Sequence, residues 1–155
     1  MSSNPFPNNP FFPVPPFKND PFDSLLNRTC SVWKKGPTGF TDQYGQPITT
    51  FILLLDNVPC FQESIGGQEL NVPPAATSQT SFGVEHWRIF MRPIQVDTPP
   101  VDLSLHHYLQ VKDFGAPNID PNDITAGALM HNITFVDNPG QMDHHLEVET
   151  TVIRP

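Results

Sequence analysis

The residues of this chain with the widest chemical range are its six histidines, four of which form adjacent pairs, His106-His107 and His144-His145, with His86 and His131 apart from them. Imidazole is a common ligand of zinc and related ions, so a metal centre is the first chemistry such a set suggests. The spacing argues against it. Neighbours on a strand point to opposite faces, so neither pair can chelate one ion from a regular strand, and an acidic face such as Asp143, His145 and Glu147 needs further ligands from elsewhere. No metal and no cofactor are expected.

Nucleophilic and phosphate chemistry leave no stronger trace. There is no Gly-x-Ser-x-Gly elbow and no cysteine in a recognisable nucleophile motif, so no catalytic residue is expected and the chain reads as a non-enzyme. A Gly-x-x-x-x-Gly-Lys phosphate loop is missing too. Glu147 and Glu149 share a strand face, but a glycosidase pair needs an enclosing cleft, so a solvated acidic face is the simpler reading. Cys30 and Cys60 are too few for a disulfide framework and form no Cys-x-x-Cys knuckle; both read as reduced, small buried residues.

The elements that would position these groups follow from composition. With 155 residues the chain makes one domain. Apolar residues are 37% and charged residues 15%, with 19 prolines, a mixture that fits a core plus an appendage. The formal charge of −8 disfavours a grip on nucleic acid. The longest strongly apolar run, Phe51 to Leu55, is far short of the roughly 20 residues of a membrane-spanning helix, so no membrane role is expected. The start lacks the pattern of a secretory signal, which reads as synthesis in the cytoplasm and makes the sequons at Asn27 and Asn132 chance matches.

Residues 1–28 read as an extended N-terminal arm. The first 22 residues hold seven prolines and five phenylalanines, Phe6, Phe11, Phe12, Phe17 and Phe22, and repeat Asn-Pro-Phe at 4–6 and 9–11 with Asp-Pro-Phe at 20–22. Proline at this density removes backbone donors and fixes φ, so polyproline-like chain is expected. Such a segment is either a disordered leader or, given its rings, an assembly arm whose phenylalanines fill grooves on a neighbouring subunit.

Residues 29–155 read as the folded body and as mainly β. Strands are expected at Thr29–Lys35, Thr49–Glu63, Val84–Arg92, Leu105–Lys112, Leu129–Val136 and His144–Ile153, separated by Gly, Pro, Asn and Asp. Six strands suit a small antiparallel barrel or a sandwich. Alternation points Trp87, Ile89 and Met91 inward, with Trp87 a core anchor, and does the same for Leu146, Val148 and Val152. Phe51, Ile52, Leu53, Leu54 and Leu55 do not alternate, which predicts a strand covered on both faces, its outer face by another subunit or by the arm. Gly66, Gly67, Gln68 and Glu69 open a polar stretch, Ser64 to Gly83, read as a long flexible loop.

Charge is divided unequally: residues 1–92 carry seven acids and six bases, residues 93–155 nine acids and two bases. The acidic half either aids solubility or, in a ring, lines a channel through which a polyanion slides without sticking.

Three stretches in this order resemble the head-closure or head-tail joining proteins of long-tailed bacteriophages, the stopper-like family. The first is Cys30-Ser31-Val32-Trp33-Lys34-Lys35-Gly36, then Asp42-Gln43-Tyr44-Gly45-Gln46-Pro47-Ile48, closed by Val58-Pro59-Cys60. The second is Glu85-His86-Trp87-Arg88-Ile89-Phe90-Met91-Arg92. The third is Ile133-Thr134-Phe135-Val136-Asp137-Asn138-Pro139-Gly140, followed by His144-His145-Leu146-Glu147-Val148. The segment before Thr29 and the stretch Pro93 to Asn122 look expanded relative to that family.

The resemblance implies a small β-barrel with a long loop between its second and third strands. It also implies a structural virion protein of the neck, assembled as a homo-oligomeric ring of six or twelve copies. Its partners would be a portal or adaptor protein on one side and a tail terminator or other tail protein on the other, enclosing DNA without binding it specifically. In such a ring the loop through Gly66, Gly67, Gln68 and Glu69, polar and long, would be the one to face the channel or to contact an axial neighbour. Three other readings stay open: a neighbouring neck or tail-completion protein, a free-standing β-sandwich module that stacks glycan or peptide on Trp33, Tyr44 and Tyr108, and a metal enzyme using His131 and His145.

Overall fold

A computed structural model describes residues 20–71 and 81–154. A short helix, α1 (Phe22–Leu25), precedes β1 (Arg28–Thr41), β2 (Pro47–Asn71), β3 (Ser81–Met91), β4 (Gln95–Val96), β5 (Val101–Asp102), β6 (His107–Lys112), β7 (His131–Asp137) and β8 (Leu146–Arg154). Six of these strands close an antiparallel barrel in the order β1-β2-β3-β8-β7-β6, and β4 and β5 form a small separate hairpin. No helix among the described residues is long and apolar enough to cross a membrane.

The barrel is small enough for side chains to fill it. Cys30, Val32, Cys60, Ile89, Met91, Leu109 and Val148 are fully buried at its centre, and Val96 of β4 and Leu103, just after β5, join the same cluster. Each fully buried aliphatic side chain contributes about 1.5–3 kcal/mol. Along β8 the expected alternation holds, since Leu146, Val148 and Val152 are buried. Thr150 shares their face, and its hydroxyl meets His131 Nδ1 at 2.8 Å, which satisfies two buried polar groups at once. Trp87 departs from expectation. It is half-buried, its indole lies edge-on to His131 and its Nε1–H donates to Glu85, while Trp33 is the buried tryptophan.

Two further expectations change. The run Phe51–Leu55 breaks alternation at a bulge in β2: Val32 stands opposite Leu55 and Trp33 opposite Leu53, so Leu54 is an extra residue. Leu54 and Leu55 both pack against the core. The loop read from Ser64 to Gly83 is largely β-strand, in a sheet that β8 continues on the other side of β3 as far as Gly83 opposite Arg154. Strand β2 runs on to Asn71 opposite Ser81, and Gly66, Gly67, Gln68 and Glu69 pair with His86, Glu85, Val84 and Gly83. A second bulge between Ser64 and Gly66 makes Ile65 the extra residue, and the backbone turns beside it at Gly66, whose φ of 135° suits a residue without Cβ. Residues 72–80 lie outside the description.

Candidate functional site

The first two strands outrun the barrel. β1 pairs with β6 only from Thr29 to Lys34, and β2 pairs with β3 only from Cys60 onward. Beyond Lys35 and Phe51 the chain is therefore a projecting two-stranded ribbon, with Gly36 opposite Thr50, Pro37 opposite Thr49 and Thr41 opposite Pro47. A two-stranded ribbon has no core of its own. Its apolar side chains stay in water: Phe40 is 74% exposed, Tyr44 81% and Ile48 43%.

The tip is nonetheless fixed. Asp42 Oδ1 accepts from the backbone N–H groups of Tyr44 (2.8 Å) and Gln46 (2.9 Å), and the Asp42 N–H donates to the Gln46 carbonyl at 2.8 Å. This Asx-type turn holds the Tyr44 ring at the end of the ribbon. At the ribbon's root, the Asn122 side chain closes the free edge of β2 by accepting from Phe51 N–H (2.8 Å) and donating to Phe51 C=O (3.0 Å). The Lys112 ammonium and the Asn118 amide both reach Asp56 at 3.0 Å, so the chain between β6 and β7 lies along the same edge.

The five residues proposed as a subunit contact thus separate. Leu54 and Leu55 belong to the core, and Phe51 is half-buried, edge-on to Tyr108 at 5.1 Å with the Lys35 ammonium 5.1 Å from its ring centre. Ile52 (37% exposed) and Leu53 (42%) remain open to a partner. Ile48 lies where the register shifts between Pro37 opposite Thr49 and Thr41 opposite Pro47, while Ile52 stands in register opposite Lys34. Of the three aromatics that a binding module would offer, Trp33 is buried, Tyr108 is half-buried beside Lys35, and Tyr44 alone is exposed.

Phe6, Phe11, Phe12 and Phe17 lie outside the described residues. Phe22 does not reach away from the body; it packs on its own barrel, 4.7 Å below the Arg92 guanidinium and 5.4 and 5.1 Å from the rings of His144 and His145. Arg92 also donates to Asp23 (2.9 Å) and to the His144 carbonyl (2.6 Å), and Asp20 binds His144 Nε2. That hydrogen bond from His144 holds the Asp20 carboxyl below its ordinary range. Asp20 to Asp23, expected as part of the arm, are therefore docked on the barrel.

The histidine pairs behave differently from each other. His107 is buried and accepts the Ser104 N–H on Nδ1 (3.0 Å), and burial pushes its pKa down, while His106 is exposed. His144 and His145 precede β8, and Asp143 before them has φ 53°, so strand alternation does not separate them as expected: their Nδ1 atoms meet at 2.8 Å. Among the described residues no group of three or more His, Cys, Asp or Glu is placed to hold a metal. Cys30 and Cys60 are buried free thiols. Contact with the Cys60 thiol, followed by burial, raises the Cys30 pKa well above the usual thiol range. A shallow cleft of about 320 Å³ lies by Arg28, Lys112 and Leu129, but its two cations are already paired with Asp113 and Asp56.

No family model matches the chain, and no curated protein matches it.

Proposed function

We propose that this chain is a structural protein of a tailed-phage neck, forming a homo-oligomeric ring between portal and tail that joins head to tail. The observation that carries the reading is the projecting β1–β2 ribbon. A rigid turn presents Tyr44, and Phe40, Ile48, Ile52 and Leu53 stand in water along the ribbon and its root, a cost that burial between copies removes. An isolated globule has no use for such an element. Neighbouring copies arranged in a ring would each receive the ribbon of the next, a heterologous contact that closes when the rotation per copy divides the circle.

The acidic half supports the same reading. Residues 93–155 carry nine of the chain's 16 acids against two bases, which suits a wall that DNA passes without adhering. The far end of the β2–β3 pair, with Gly66, Gly67, Gln68 and Glu69 in β2, is the element we assign to the channel or to the axial neighbour. Its partners would be the portal or adaptor above and the tail terminator below.

The test is to image the purified chain by negative stain beside the double variant Phe40→Ser, Tyr44→Ser. Both residues are outside the core, so the variant folds; rings in the parent and their loss in the variant support the assignment. Rings that persist unchanged in the variant remove the ribbon from the interface. A monomeric parent that binds a glycan array would favour the free-standing module.

A further inference from the structure

We propose that α1 is a proton-operated latch, in which a chain of four side chains, Asp20, His144, His145 and Glu147, holds the segment before β1 on the barrel in one protonation state and releases it when a further proton is added. The chain is continuous. Asp20 Oδ2 meets His144 Nε2, His144 Nδ1 meets His145 Nδ1 at 2.8 Å, and His145 Nε2 meets Glu147 Oε1 at 3.3 Å.

Counting protons gives the device its direction. Among the described residues there are three links, each requiring one hydrogen, and four ring nitrogens to carry them; ionised carboxylates only accept. Three protons satisfy every link and leave one positive charge shared by the two rings between two carboxylates. With two protons one link lapses: a hydrogen on His144 Nε2 for Asp20 and one on His145 Nδ1 for His144 leave the longest link, His145 to Glu147, without one. With four protons both Nδ1 atoms carry hydrogen and face each other across 2.8 Å, so the rings must part.

The surroundings magnify that last step. From the end of β3 the Arg92 guanidinium already supplies a positive charge, stacked on Phe22, bound to Asp23 and 4.0 Å from Asp20. The nearby acids are Asp23 on α1, Glu147 on β8, Asp137 opposite Glu147 on β7, and Asp143, which is held by the Asn138 amide at 2.7 Å. Phe22 touches both imidazoles, and Phe90 lies 6.3 Å from His145 on the barrel wall, so rotation of the rings displaces Phe22 directly. Helix α1 has four residues, none buried, and its described links to the barrel are those of Asp20, Phe22 and Asp23. A single turn does not persist without such contacts. Opening moves the point where the chain joins the barrel from Asp20 to Arg28, eight residues on, and adds about 25 Å of reach to whatever precedes Asp20.

The test is hydrogen exchange of the full-length chain from about pH 8 to about pH 4, corrected for intrinsic rate, reading the amides of Phe22, Ser24 and Leu26 against those of β8. We expect protection of α1 to peak within the range and to fall roughly tenfold at its acid end while β8 stays protected. His145→Phe, which keeps a ring between Phe22 and Phe90, should flatten the profile. Glu147→Gln, whose amide can donate to His145 Nε2, should extend protection to the alkaline end. Constant protection across the range in the parent, or a Glu147→Gln profile identical to the parent's, overturns the latch.

Discussion

Ile52 lays its Cδ1 atom over Gly36, 2.6 Å from where a Cβ at that position would sit. The contact ties the root of the projecting ribbon to the barrel wall and explains why a glycine stands inside a strand. Gly36→Ala should cost no more than about 1 kcal/mol, because the atom it meets ends a flexible side chain, and Gly36→Val about 2 kcal/mol. In an Ile52→Ala background the cost of Gly36→Ala should disappear. Urea unfolding of the four chains of that cycle measures the coupling.

The bulge in β2 separates two adjacent leucines by role. Leu54→Ala should destabilise the barrel by about 2 kcal/mol because it removes packing from the core, whereas Leu53→Ala should change stability by less than about 0.5 kcal/mol. Association should show the reverse order, with Leu53→Ala weakening it. Equal losses of stability at the two positions would mean that the strand is not bulged there.

Cys30 and Cys60 should resist a thiol reagent such as a maleimide in the native state and label fully in denaturant. Both are fully buried, and the Cys30 thiol is held in its protonated, unreactive form by its neighbour and by burial. Mass spectrometry after a short labelling pulse reads the result directly. Rapid native labelling would place them at the surface.

Asp97 and Lys34 set a pH dependence whose sign is fixed. The Lys34 ammonium, 2.6 Å away, holds the Asp97 carboxyl below its ordinary range. A depressed carboxylate contributes stability above its unfolded value, about 3.9, and that contribution is lost as pH falls through the folded value. Asp97→Asn should therefore be less stable than the parent at neutral pH, and the two should converge in acid. Asparagine also tolerates the left-handed backbone at this position, φ 76°, so strain does not confuse the comparison.

Much of the barrel was legible in the residues and some of the surface was not. The alternation of Leu146, Val148 and Val152 determines the inward face of β8 because one register alone buries them. In β2 the same logic failed at Leu54, since a bulge and a two-faced strand leave the same apolar run. Gly66 to Glu69 looked like loop because such residues have little strand preference of their own; pairing with His86 to Gly83 overrides it. The docking of α1 had one local signal, Asp20-Pro21-Phe22, in which Asp20 Oδ1 accepts the Phe22 N–H at 2.8 Å. Its long-range half, Arg92 with His144 and His145, lies some 70 to 125 residues away and leaves no periodic trace.

The most direct test of the assembly is native mass spectrometry of the full-length chain as its concentration is raised. A ring account requires a closed species of six or twelve copies growing at the expense of the monomer, with no open-ended ladder of intermediate sizes. A chain that stays monomeric at every concentration, with Phe40, Tyr44 and Ile48 still in water, would contradict it.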